Sequence, residues 1–237
     1  MKVLGGLIFL LLTAAGPAFS QVRDDSSFSL LINSGLSVTH ADDPHINRWL
    51  EKYGYPAEPH APSSFNFELG AMPAASRLLY TVKLSTITSG HNLSSFNISA
   101  GLYNAFIDSK NFLFFAGAAA GYHSDIVRLN GQLPADYAAL ASQYHSLLAL
   151  RRTGLFLQPG LRAFYYPFSY HGLQLGVYGG LAYDLYLNSH WRLGYYNNNH
   201  GKSSGHFRQL NKPADQLKVS EHGFCLSAGL SLRIHLH

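Results

Sequence analysis

Cysteine is almost absent from this chain: its 237 residues include one, Cys225. A single thiol excludes an internal disulfide framework. Charge is scarce as well. Asp, Glu, Lys and Arg make up 13% of the sequence, against roughly 25% in an average soluble domain. The hydrophobic share, 47%, is ordinary beside the usual 45–50% or so. The polar surface is therefore left to Gly, Ser, Asn, His and Tyr. The formal net charge of +4 is too small and too dispersed for a nucleic-acid partner. After Ala15 no long apolar run remains, so Gln21 to His237 holds no candidate transmembrane helix. There is no glycine-rich phosphate loop, no helical His-x-x-x-His pair and no Cys–His cluster with zinc spacing. No cofactor and no metal are expected.

The first twenty residues are of a different kind. Met1 and Lys2 make a short basic start, Val3 to Ala15 is apolar, and Ala18-Phe19-Ser20 offers small residues at a cleavage position. Residues 1–20 read as a secretory signal peptide and 21–237 as a single exported domain. An exported protein that folds without disulfides fits the bacterial envelope.

The rest of the chain alternates. From Phe224 to Leu236 every even position is apolar, and every odd position is small, polar or charged. A period of two marks a β-strand with one apolar and one polar face. The same pattern recurs around Leu30 to Val38, Phe65 to Ala71, Leu78 to Leu84, Phe96 to Leu102, Leu155 to Ala163 and Leu173 to Leu185. Asn111 to Ile126 is strand-like, but small and aromatic on both faces. The total is about eight strands, each close to or above the roughly 9–11 residues that cross a tilted bilayer.

The connections alternate in length. Met72 to Arg77, Asp108 to Lys110 and Pro167 to His171 are tight. His40 to Ser64, Ser89 to Ser94, Arg128 to Arg151 and Asn188 to His222 are long. Two long links carry helical signals. In one, Asp43 can cap a helix that starts at Pro44 and stops at Gly54. In the other, Pro134 to Leu148 places Tyr137, Leu140, Ala141, Tyr144 and Leu148 on one face. Short turns at one end and long loops at the other predict an all-β fold. The expectation is an eight-stranded antiparallel transmembrane β-barrel with short periplasmic turns, long extracellular loops and short helices in those loops.

What fills the polar faces argues for lipid outside. A barrel in water would present Lys, Glu and Thr outward. Here those faces hold Gly, Ser, Asn and Gln, which suit the narrow interior of an eight-stranded barrel. The few charges on them come in both signs. Glu68, Lys83, Arg162, Asp184 and Arg233 are expected to form an internal neutralising network. Phe164, Tyr165, Tyr166, Phe168 and Tyr170 cluster near one tight turn. Tyr183, Tyr186, Trp191, Tyr195 and Tyr196 lie toward the other end, and the two sets suggest interfacial girdles.

Trp49, Tyr137 and Trp191 are candidates for contacts made by the loops. His123-Ser124-Asp125 contains residue types used in nucleophilic catalysis, but neighbours on a strand point to opposite faces, so the tripeptide is not itself a triad. The 13 histidines fall mostly in or near loops, and surface positions are the expectation for them.

Taken together, the chain resembles the small outer-membrane β-barrel proteins of Bacteroidota, related in architecture to the OmpA and OmpX barrels. The most local likeness is Asn47-Arg48-Trp49-Leu50-Glu51-Lys52-Tyr53-Gly54-Tyr55-Pro56, similar to the first-loop segment of that group. The terminal strand is similar to the signal read by the barrel-assembly machinery, although it ends in His237 where that signal usually ends in an aromatic. The resemblance implies an outer-membrane location, contact with outer-membrane lipid, and the assembly machinery as a partner. It also implies a structural, adhesive or loop-binding role, in which an envelope protein or ligand meets the extracellular loops. A lipid-modifying hydrolase and a narrow solute channel or transporter are the alternatives.

Overall fold

The computed structural model describes residues 27–41, 44–52, 54–55, 63–74, 76–87, 93–129, 147–187, 190–196, 207–209, 216–218 and 222–236. The elements in chain order are β1 (Phe28–Ala41), α1 (Pro44–Lys52), β2 (Ser63–Pro73), β3 (Leu78–Ile87), β4 (Leu93–Asp108) and β5 (Phe112–Arg128). They continue with β6 (Leu147–Tyr170), β7 (Leu173–Leu187), β8 (His190–Tyr196), β9 (Phe207–Gln209), β10 (Gln216–Lys218) and β11 (His222–Leu236). Among the described residues no helix is long and apolar enough to cross a membrane.

Strands β1 to β7 pair in sequence, each antiparallel to the next, and β11 pairs with both β7 and β1. The sheet thus closes on itself as an eight-stranded antiparallel barrel. Closure leaves these eight strands without a free edge. All the tight connections fall at one end. One is Tyr170–Leu173, where His171 (φ 43°) and Gly172 (φ 80°) both take the left-handed conformation. Two central residues with positive φ make a turn whose twist matches the flanking strands, and glycine adopts it without steric cost. The long connections all lie at the other end.

That long-loop end holds more strand than the sequence pattern predicts. β6 begins at Leu147, eight residues before Leu155, and the link from Asn188 to His222 contains β8, β9 and β10. β8 resumes along β6 where β7 stops, one residue out of register: Leu155 pairs with Leu187, and Arg152 with Trp191. β9 and β10 both pair with β8. A small extra sheet therefore carries the β5–β6 wall past the rest of the rim. The helix expected over Pro134 to Leu148 falls largely outside the described residues, and its last two residues belong to β6.

The first-loop helix forms as expected. α1 ends in a Schellman arrangement: the N–H of Tyr55 donates to Leu50 O (2.8 Å) and that of Gly54 to Glu51 O (3.0 Å), with Gly54 at φ 76°. Leu50 and Tyr55 are buried, and Trp49 stacks on Tyr55 with the ring planes 3° apart.

The polarity of the barrel is reversed relative to a water-soluble one. Leu36, Phe65, Leu69, Val82, Phe96, Leu102, Leu157, Leu161, Leu175, Val177, Leu226 and Leu230 all stand exposed on the outside, Leu230 at 64%. Asn33, Asn66, Glu68, Gln158, Asp184 and Arg233 are buried inside, Arg233 at 7%. Leu232 and Ile234 share the outward face of β11 with Leu230.

Candidate functional site

The interior is the place where chemistry-bearing side chains converge, and it is layered. At the short-turn end the filling is apolar. Leu31, Met72, Leu79, Leu113, Phe115, Phe164 and Tyr166 form one buried cluster. Phe115 meets Phe164 edge-on at 5.8 Å, and Phe164 stacks on Tyr166 at 6.3 Å. The alternation pattern predicts only small and polar groups inside, with Leu79 as a break in an otherwise polar face. Leu79 is instead part of this plug.

The plug also corrects the girdle expected near the turn at residues 170–173. Phe164 and Tyr166 point inward, whereas Tyr165, Phe168 and Tyr170 stay outside. The strand register slips between Tyr165 and Phe168. Pro167, which lacks an N–H for the ladder, lies inside that slip.

Above the plug lies the ionic centre. A hydrogen-bonded chain links Tyr166, Ser231, Asn33 and Glu68. Ser231 donates to Asn33 Oδ1 (2.6 Å), so the Tyr166 hydroxyl, 2.8 Å from Ser231 Oγ, is the donor to it. The Asn33 amide donates to Glu68 Oε1 (3.0 Å). Arg162 reaches across the barrel to the same Glu68 oxygen as an ion pair. Its guanidinium also lies 4.1 Å above the Tyr103 ring, a favourable placement for a desolvated cation.

Two of the five expected lumen charges are thus joined directly. Lys83 stands opposite Glu68 in the β2–β3 register and borders a cavity of about 20 Å³ beside Arg162 and Gln158, room for a single water. Asp184 is held separately, accepting from Gln158 Nε2 at 2.5 Å. Arg233 sits apart, its Nε donating to Ser29 Oγ at 3.2 Å.

A further cluster, outside the set of charges expected from the sequence, closes the long-loop end. Asp125 receives Arg152 through Nε (2.9 Å) and Nη2 (2.6 Å), lies 3.0 Å from His123 Nδ1, and accepts from Ser95 at 2.5 Å. His123 is 1% exposed. Its ring meets Tyr186 edge-on at 4.7 Å, and the Arg152 guanidinium lies over both Tyr186 and Trp191. A signal exists in the sequence: His123 and Asp125 are two apart on a strand and so share a face. Arg152 escapes that reading because the alternation that marks the strand begins after it.

This geometry also bears on catalysis. Ser124 faces out while His123 faces in. In the inward cluster the carboxylate lies between Ser95 and His123, whereas a nucleophilic triad needs the imidazole between acid and hydroxyl. His123 is not placed to take a proton from Ser95.

Of the loop-contact candidates, Trp49 is half-buried in its stack on Tyr55. Trp191 is 3% exposed, turned into the fold over Arg152 rather than presented to a partner, and Tyr186 is likewise internal rather than part of an outer girdle. Tyr137 lies outside the described residues, as do His60, His91, His200 and His206. Among the described residues no three His, Cys, Asp or Glu side chains gather as a metal site.

No family model matches the sequence, and no curated protein matches it. Solved structures do share its shape. One is a major outer membrane protein from Thermus thermophilus, with 13% identity, 87% of this chain and 99% of that one covered, and a TM-score of 0.52. Another is neisserial surface protein A, NspA, with 12% identity, 89% and 99% coverage, and a TM-score of 0.47. A third is the outer membrane protein OprG from Pseudomonas aeruginosa, with 9% identity, 90% and 97% coverage, and a TM-score of 0.43. At such identities the likeness is one of fold.

Proposed function

We propose that this chain is a bacterial outer-membrane protein: a side-chain-filled β-barrel that anchors loops at the cell surface, where they serve a structural, adhesive or binding role. The observation that carries the reading is the reversal of polarity. Exposed Leu, Val and Phe side chains occur on seven of the eight barrel strands, all but β5, while the buried charges face inward. Hydrocarbon is the solvent that makes such an arrangement favourable, since a closed barrel satisfies its own backbone groups in lipid. In this reading the short turns face the periplasm and β8 to β10 stand outside the cell. Residues 1–20 direct export, and the barrel-assembly machinery inserts the chain.

Glu68, Lys83, Arg162, Asp184 and Arg233 hold the interior together rather than acting on a substrate. The alternative roles fit less well. A channel needs an open path where this interior is filled from plug to rim. A hydrolase needs His123 and Ser124 on one side of the wall.

Gel migration with and without boiling tests the reading, together with fractionation of the envelope. The expected result is a compact, fast-migrating band that shifts only on heating, recovered with the outer membrane. Recovery in the soluble periplasm, with no heat shift, would overturn it.

A further inference from the structure

We infer that the lumen holds one fixed water molecule, and that this water joins Lys83 on β3 to the Gln158–Asp184 pair on the facing wall. The inference concerns the inside of the barrel and holds whatever surrounds it.

Lys83 is an inward charge to which the protein supplies no direct partner. It is half-buried, opposite Glu68 across β2 and β3 and opposite Ser99 across β3 and β4. Glu68 is already taken by Asn33 and Arg162. Among the described residues the Lys83 ammonium makes no direct hydrogen bond or ion pair. An ammonium has three N–H donors and no acceptor, and leaving them unanswered away from bulk water is costly.

The Lys83 side chain borders the cavity of about 20 Å³. The space exists because the facing wall carries small inward residues: Gly160 on β6, Gly180 and Ala182 on β7, and Ser227 on β11. About 10–15 Å³ of such space is enough for one water, provided that polar groups surround it. Gln158 borders the same cavity and is 6% exposed. It gives its Nε2 to Asp184 at 2.5 Å, which leaves its Oε1 to accept. The Ser227 hydroxyl is a third polar group at the cavity. Water both accepts and donates, so one molecule takes a hydrogen from Lys83 and gives one to Gln158 Oε1. A halide accepts only, and would leave Gln158 Oε1 unanswered. A metal cation would meet the positive charges of Lys83 and Arg162.

Two neighbouring groups mark the same sector. Asn66 Nδ2 and Asn97 Oδ1 are buried with no hydrogen-bond partner. Both residues pair with Ser85, from β2 and from β4, and Ser85 is the next inward residue after Lys83 on β3. Buried polar atoms are rarely left unpaired, so unanswered groups on three adjoining strands point to water in this part of the lumen. Through the bridge, four of the five expected lumen charges form two pairs. Glu68 and Arg162 meet directly, and Lys83 reaches Asp184 by way of one water and Gln158.

The test is a crystal structure of the full mature protein in detergent, at a resolution that shows single waters, from crystals grown in chloride and in bromide. One water is expected within about 3.2 Å of both Lys83 Nζ and Gln158 Oε1, with no bromide peak in the anomalous map. An empty cavity, a bromide peak inside it, or Lys83 Nζ bonded directly to Glu68 or Asp184 would overturn the inference. A double-mutant cycle of Lys83→Met and Asp184→Asn in lipid vesicles reads the same bridge energetically. A coupling of about fivefold in the folding equilibrium constant is expected, and additive effects would count against the bridge. If the variants do not fold, the wild-type crystal structure decides alone.

Discussion

Glu68 is the residue on which the interior turns. It accepts from Asn33 and from Arg162 on the same oxygen, and Arg162 in turn covers Tyr103. Removing the carboxylate leaves a guanidinium in a space with room for one water. The cost of breaking a buried pair in this way is about 3–5 kcal/mol, most of it the uncompensated charge. Glu68→Ala is therefore expected to lower unfolding stability by that amount in urea, read from the fraction of heat-shiftable band in lipid vesicles. Adding Arg162→Ala to it should recover part of the loss, because the orphaned charge is gone and the two sites are coupled. If the double variant is as unstable as the sum of the two single ones, Glu68 and Arg162 do not act as a pair.

At the scale of strands, sequence and structure agree where one face is clearly apolar. The segments containing Leu30, Phe67, Val82, Leu102, Leu175 and Leu230 were legible, because lipid on one side and a crowded lumen on the other enforce a period of two. The tight turns were legible for the same reason: little but turn residues stands between consecutive patterns. Legibility failed where both faces are apolar. β5 reads as small and aromatic throughout because its inward Leu113 and Phe115 belong to the plug, while its outward face is also apolar. It failed again beyond the membrane band, where Arg152 and Trp191 follow contacts at the rim rather than the lipid rule. The ionic pairing was half legible: inward facing showed which charges are interior, but contacts across the lumen depend on barrel closure, which no local pattern encodes.

The outward rule makes its own prediction for β6. Leu161 pairs with Leu181 on the lipid side, and its neighbour Arg162 is already internal. Leu161→Arg is expected to destabilise the barrel by about 2–4 kcal/mol in bilayers. In a polar surfactant environment the penalty should shrink. An equal effect in both would mean that Leu161 does not face hydrocarbon.

For the molecule as a whole, the question is whether a closed eight-stranded barrel with buried charges conducts ions. Three successive layers fill it: the Phe115–Phe164–Tyr166 plug, the Glu68–Arg162 centre, and the Asp125–Arg152–His123 cluster beneath Trp191. An eight-stranded barrel is just wide enough for its own side chains, and a hydrated ion needs more room than a single water. Opening such a path would require the ion pair, the aromatic plug and the rim cluster to move together, each against its own buried contacts. Wild-type protein in planar bilayers is therefore expected to give no steady conductance steps. Removing a single layer by Phe164→Ala should leave the protein silent, since two layers remain. Discrete, reproducible openings in the wild type would mean that the lumen rearranges in the membrane, and the anchoring role would give way to transport.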